Sequence, residues 1–192
     1  MMRGVRTGTG RQSTDRTLYR LWVETAWGRC CLTYAGEPFL LFGITLPGSI
    51  NKAGPDSKLE TGAVHPSAIL VGQALADYFD GCGPAVIPGK WLALEQLTAN
   101  ERLVLKAVRQ IPYGATRTYA EVAGMAGFPR GARFAGNTLH KNPFPVIIPC
   151  HRVVRSDGSI GGFASGCEMK EKMIALERQK GSRGQGFKGS RG

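Results

Sequence analysis

A chain of 192 residues is long enough for one domain or two small ones, and 42% hydrophobic with 8% aromatic residues exclude wholesale disorder. No apolar run approaches the roughly 20 residues that a membrane helix needs, which excludes a helical membrane protein. The formal net charge of +11 favours a polyanionic partner, most simply nucleic acid.

That charge gathers at the ends. Residues 1–16 carry four arginines against one aspartate and residues 179–192 carry four basic residues and no acid, so the two ends hold +7 of the +11. The sequence KGSRG stands twice in the C-terminal stretch, at 180–184 and 188–192, and such composition cannot bury enough surface to fold. Both ends read as flexible basic arms that add salt-sensitive affinity for phosphates, solubilising tails being the alternative. The opening MMRGVRTGTGRQSTDR lacks the apolar centre of a secretory signal. Five cysteines, odd in number and without CxxC spacing, argue for a reduced intracellular compartment rather than a disulfide framework.

In chain order, TLYRLWV (17–23) alternates with period two, and a turn at Ala26–Arg29 leads into CCLTYAG, which predicts a β-hairpin. FLLFGITLP (39–47) predicts a further strand, and the Gly/Pro/Ser-rich PGSINKAGPDSK a connection. HPSAILVGQALADYFDG predicts an amphipathic helix with Ile69, Leu70, Leu75, Tyr78 and Phe79 as its apolar residues and Gly81 at its end.

The second half carries stronger local signals. Thr98 and Glu101 form a T-x-x-E capping box, and Val104, Ala107, Val108 and Ile111 follow at helical spacing until Pro112. A second box, Thr118 to Glu121, starts a short helix that Gly127 closes. After Pro129 a third helix, RGARFAGNTLHK, presents little side-chain bulk at Gly131, Ala132, Ala135 and Gly136. Two short helices joined by a tight turn make a helix-turn-helix pattern whose small face allows close approach to DNA. The Pro-bounded run PVIIP (145–149) predicts a buried strand that delivers Cys150, and CEMKEKMIALERQKG predicts a final helix with Met169, Met173 and Leu176 on its apolar face. The fold class is α+β: a small N-terminal sheet-plus-helix domain, then a mainly helical C-terminal domain with a helix-turn-helix.

Glu177 falls on the apolar face of the last helix, where a carboxylate costs several kcal/mol unless paired. His151 is one of three histidines and adjoins Cys150. A glutamate accepting from one ring nitrogen leaves the other free to take the thiol proton, giving a Cys150–His151–Glu177 relay. Neighbours in an extended chain point to opposite faces, so either the chain turns at Pro149-Cys150 or a water links sulfur and imidazole. The bland alternative is a small buried hydrophobe beside a satisfied core histidine. The residues also allow a Cys-His hydrolase or a non-catalytic DNA-binding regulator. A metal site from Cys30, Cys31, Cys82 and His65 has no finger spacing, and none is expected.

IPCHRVV (148–154), NPFPVIIPCHR (142–152), IPYGATRTYAEVA (111–123) and the register from Tyr119 through Arg133 to Cys150 and Glu177 resemble the O6-alkylguanine-DNA alkyltransferases. The likeness is strong over about 97–178 and faint over 17–90. It implies a 17–90 N-terminal α/β (ribonuclease-H-like) domain and a 91–178 alkyltransferase domain with the helix-turn-helix, between arms at 1–16 and 179–192. It implies single-turnover transfer of an alkyl group from O6-alkylguanine, and from O4-alkylthymine, in flipped-out duplex DNA to Cys150. His151 would be the water-linked base, Glu177 its orienting acid, Asn142 a brace and Tyr119 a helper in protonating the departing base. Arg133 would enter the duplex from the minor groove, with Gly131, Ala132, Ala135, Gly136 and Ser156 at the DNA. Pro145, Val153, Val154, Arg155, Gly161, Phe163 and Ala164 would wall the base pocket. No cofactor, metal or membrane partner is implied, and the protein would act as a monomer able to cluster on DNA, in the cytoplasm of a prokaryote or the nucleus of a eukaryote. Phe163 and Ala164 depart from the tyrosine and serine common in the family, and its human-type zinc ligands are not recognisable.

Overall fold

A computed structural model describes residues 16–49 and 64–184; the expected N-terminal arm up to residue 15, the connection at 50–63 and the tail beyond 184 lie outside the described residues. Strands β1 (Leu18–Val23), β2 (Cys30–Ala35) and β3 (Leu40–Thr45) form an antiparallel sheet in the order β1-β2-β3. The predicted hairpin pairs Leu18 with Ala35 and Val23 with Cys30, and Gly28 supplies the positive φ of its turn.

Helix α1 (Pro66–Phe79) lies on this sheet. Pro66 sits at its first turn, the His65 side chain accepts from the Ser67 amide, and Gly81 past its end has φ 72°. Gly72 permits the close approach, since a Cβ there would lie 3.0 Å from Val23 Cγ2. The buried stripe is Ala68, Val71, Gly72, Leu75, Tyr78 and Phe79; Ile69 and Leu70, expected on it, face outward at 56% and 60% exposure. The stripe keeps helical spacing back from Leu75 to Val71 and Ala68, which leaves 69 and 70 on the far side.

Helix α2 (Ala99–Arg109) buries Val104, Leu105, Ala107 and Val108, and both halves of its Thr98–Glu101 capping box form. The second capping box forms as well, at Thr118 and Glu121, and starts α3 (Tyr119–Met125). A turn through Gly127 and Pro129 leads to α4 (Ala132–His140), packed on α2 and α3. The two-residue strands β4 (Arg117–Thr118) and β5 (Val153–Val154) pair in parallel. This pairing fastens the start of the helix-turn-helix to the chain just past Cys150 and His151. Across the molecule, the Ile44 amide donates to the Pro143 carbonyl at 2.8 Å, so the end of β3 reaches the turn that precedes Cys150.

The last helix, α5, spans Cys167–Gly184, three residues past the expected end at 181. Its buried stripe is Lys170, Met173, Ile174 and Glu177, at i, i+3, i+4 and i+7, while Met169 and Leu176 are half-buried at its edge. The architecture is the α+β arrangement expected from the sequence.

Candidate active site

The run PVIIP is buried but is not a strand. A turn occupies 145–147, and Cys150–Arg152 form a 3₁₀ turn. Two prolines lack amide donors, and the Asn142 side chain takes over what a ladder would have satisfied. Its Nδ2 donates to the Ile148 carbonyl at 2.9 Å and its Oδ1 accepts from the Phe144 amide at 3.0 Å. Within this turn Val146, a β-branched residue, is held at φ 73°, in the left-handed region that such residues avoid. The same Asn142 Nδ2 reaches Cys150 Sγ at 3.1 Å. Asn142 therefore braces both the turn and the sulfur.

Cys150 is 6% exposed and lines a cavity of about 150 Å³ together with Asn142, Leu139, Pro145, Phe163, Ala164 and Ser165. Its remaining wall comes from Ile44, Thr45, Leu46 and Ser49, at and beyond the end of β3. Of the expected pocket residues, Pro145, Phe163 and Ala164 take their place. Val153, Val154, Arg155 and Gly161 do not line this cavity: β5 is pinned to β4, Val153 is fully buried, and Gly161 packs so close that a Cβ there would lie 3.0 Å from the Tyr119 hydroxyl.

The chain turns between Cys150 and His151, which sends the imidazole inward. His151 Nε2 lies 2.7 Å from Glu177 Oε1, both groups almost fully buried. Because a carboxylate only accepts, Nε2 carries the proton. Nδ1, buried and with no hydrogen-bond partner, is the nitrogen left to accept. Burial holds the His151 pKa below its ordinary value, against the pull of Glu177. Burial likewise pushes the Cys150 thiol up, opposed by the Asn142 hydrogen bond and by Lys170. The resting pair is thus thiol and neutral imidazole.

Glu177 has more partners than the sequence suggested. Burial alone would raise its pKa, but hydrogen bonds from His151 and Arg152 outweigh this and bring it to about 2. Arg152 Nε donates to Oε2 at 2.8 Å and Nη2 to Oε1 at 2.9 Å, a bidentate pair, while Nη1 donates to the Ile111 carbonyl. The Tyr78 hydroxyl donates to Oε1 at 3.0 Å and the Gly114 amide to Oε2 at 2.9 Å. Arg152 was not singled out in the sequence; its place beside His151 in the PCHR run, with the need of a buried acid for a cation, was the available signal. Tyr78 gave no such signal. Lys170, fully buried on the Glu177 stripe, donates to the Val153 carbonyl at 2.6 Å, and burial lowers its pKa to about 8. Its helical register with Glu177 was the available clue.

A second depression of about 440 Å³ lies between α3, α4 and the loop after β5, lined by Thr118, Tyr119, Ala120, Ala132, Arg133, Gly136, Asn137, Arg155, Ser156 and Asp157. Arg133 and Ser156 are exposed there. Ala132 and Gly136 share this face, and a Cβ on Gly136 would sit 3.7 Å from the Tyr119 ring. Ala135, expected beside them, is fully buried in the core. Gly131 serves the preceding turn, since a Cβ would collide with Phe128 at 2.7 Å. Tyr119 is half-buried; burial, with Cys150 nearby, raises its phenol pKa. Cys30 and Cys31 are buried in β2 and His65 caps α1, and no three potential ligands converge among the described residues. No helix among them is long and apolar enough to cross a membrane.

A buried cysteine followed by a buried histidine–glutamate pair stands beside a helix-turn-helix with an arginine on its exposed face. The family profile described as "6-O-methylguanine DNA methyltransferase, DNA binding domain" matches residues 99–179. A methylated-DNA–protein-cysteine methyltransferase of Methanosarcina barkeri is 49% identical over 80 residues, 42% of this chain and 51% of that protein. The Mus musculus protein of the same name is 38% identical over 101 residues, 50% of this chain and 48% of its own length. The chain spans about half the length of the curated relatives it matches. Mycobacterium tuberculosis OGT, solved in complex with DNA, is similar over 84% of this chain and 94% of its own, with 27% identity and a TM-score of 0.66. Residues 99–179 thus match the DNA-binding domain of the methylated-DNA–protein-cysteine methyltransferases, or O6-alkylguanine-DNA alkyltransferases, and the described fold is similar to that of a solved member.

Proposed function

We propose that the chain reverses guanine alkylation in duplex DNA by moving the alkyl group from O6 to Cys150 Sγ. The observation that carries the reading is Cys150 on a cavity, hydrogen-bonded by Asn142 and backed by a neutral His151 that Glu177 orients, beside the Arg133 groove. An alkylated oxygen inside the duplex is out of reach, so the nucleotide must be rotated out at a cost of a few kcal/mol, which an inserted Arg133 and phosphate contacts offset. Ala132, Gly136 and Ser156 let the backbone come close to the minor groove. Residues 17–90 act as an N-terminal ribonuclease-H-like domain that closes the pocket, and 91–178 as the transferase domain, with the basic ends adding salt-dependent affinity.

In the reaction the thiol proton passes to His151, whose Nδ1 is the free acceptor, and the resulting imidazolium is stabilised by Glu177. Sulfur attacks the saturated carbon, the S–C bond forms as the C–O6 bond breaks, and the departing base takes one proton, with Tyr119 as the nearby donor. Burial keeps that phenol protonated. The product is a thioether, which no neighbouring group hydrolyses, so each molecule acts once. The same chemistry extends to O4-alkylthymine. Incubation with O6-methylguanine duplex should add one methyl group to the Cys150 peptide by mass spectrometry, and Cys150→Ser should take up none. A label on another cysteine with Cys150 unmodified would refute the assignment.

A further inference from the structure

We infer that Tyr78, supplied by α1 from the N-terminal half, is a positioning residue of the relay: it holds the Glu177 carboxylate and thereby sets how tightly His151 keeps a proton. The inference rests on the reading of Cys150 and His151 as acceptor and base. Glu177 Oε1 receives three donors, His151 Nε2 at 2.7 Å, Arg152 Nη2 at 2.9 Å and the Tyr78 hydroxyl at 3.0 Å. That hydroxyl also lies 3.2 Å from His151 Nε2. All of these groups are buried, where hydrogen bonds to a charge are strong and mutually dependent. Charge on Oε1 that Tyr78 takes up is charge His151 does not see, so the phenol weakens the carboxylate's hold on an imidazolium.

The surroundings keep Tyr78 in this role. Burial, then the Glu177 charge, pushes its pKa far above the ordinary range, so it stays a donor throughout the working pH span. Its ring is fixed edge-on against Phe79 and Tyr113, with centroids 5.2 and 6.3 Å away. The ionisable groups around His151 are Glu177 and Lys170 from α5, Arg152 and Cys150 from the 3₁₀ turn, Tyr113 from the turn after α2, and Tyr78. Of these, Tyr78 alone stands outside residues 99–179, the stretch matched by the DNA-binding-domain profile. A relay described from that stretch by itself lacks one of its donors.

The test compares the full chain with Tyr78→Phe, which keeps the ring and its packing, and with Tyr113→Phe, which removes a nearby phenol that makes no hydrogen bond. Two pH profiles are recorded, Cys150 alkylation by iodoacetamide followed by mass spectrometry and the His151 ring resonances followed by NMR. Tyr78→Phe should move the His151 midpoint, and the acid limb of Cys150 reactivity, upward by about one pH unit, the scale of one lost charge-assisted hydrogen bond. Tyr113→Phe should move neither. An unchanged midpoint in Tyr78→Phe, a rate lowered equally at every pH, or an equal shift in Tyr113→Phe would overturn the inference. Failure of the functional reading looks different: Cys150 then takes iodoacetamide but no methyl group from DNA, and the Tyr78 shift is still measured.

Discussion

Glu177→Gln tests the centre of the site, because it keeps the shape of the side chain and removes its charge. The carboxylate accepts five hydrogen bonds, from Tyr78, Gly114, His151 and two from Arg152. In the variant the Arg152 guanidinium, 6% exposed, loses its counter-ion, and one end of the amide presents hydrogens to groups that are themselves donors. Breaking a buried pair from one side costs about 3–5 kcal/mol. At about 2–4 °C per kcal/mol for a chain of this size, the melting temperature should fall by roughly 6–20 °C. The acid dependence carries a second signature. With a folded pKa lowered from 4.5 to about 2, Glu177 contributes stability that is fully present above pH 4.5 and is lost as pH falls towards 2. That contribution is on the order of 3 kcal/mol, so the gap between wild type and variant should be widest at neutral pH and should narrow by about 2 kcal/mol by pH 3. Urea titrations at pH 7, 4.5 and 3 measure it. A variant within 1 kcal/mol of wild type at pH 7, or a gap that stays constant down to pH 3, would refute the reasoning. Methyl transfer by Glu177→Gln should fall by about 10²-fold or more, since the imidazole loses its anionic anchor.

Arg133→Ala should weaken methyl transfer from duplex DNA far more than reaction with free O6-benzylguanine, measured as second-order rates on both substrates; equal losses would contradict a role in nucleotide flipping. Thr118→Ala removes the side-chain acceptor of the Glu121 amide at the start of α3 and should lower stability by about 1 kcal/mol, seen as a drop of roughly 2–4 °C in melting temperature.

The parts of the fold legible in the sequence are those written in local chemistry. Thr98–Glu101 and Thr118–Glu121 specify two helix starts through side chains three residues apart, and the alternation of 17–23 specifies a strand edge to face. PVIIP misled because apolar residues between prolines fit a buried strand, whereas the structure satisfies that backbone through one amide side chain, Asn142. Ala135 misled for a geometric reason: adjacent helical residues stand about 100° apart, so 135 and 136 point to different surroundings. The pairing of His151 with Glu177 was legible, because a carboxylate on an apolar stripe demands a partner. The Tyr78 contact, 99 residues from Glu177, and the Ile44–Ser49 wall depend on how the two halves dock, for which neither stretch holds a local signal.

The electrostatics of the site suit the proposed single-use role of Cys150. A thiolate standing ready at neutral pH would meet oxidants and adventitious electrophiles before any lesion, and thiolate character is what makes cysteines vulnerable. Here burial raises the Cys150 thiol and lowers His151, while the Glu177 charge is matched by Arg152 rather than by an imidazolium. Proton transfer from sulfur to imidazole is therefore uphill at rest, yet its product is one that Glu177 stabilises. In the proposed reaction, a bound alkylated base would add the electrophilic carbon that turns this uphill step into part of the displacement. Reactivity would then be tied to occupancy of the pocket, the property that the proposed single-use acceptor requires.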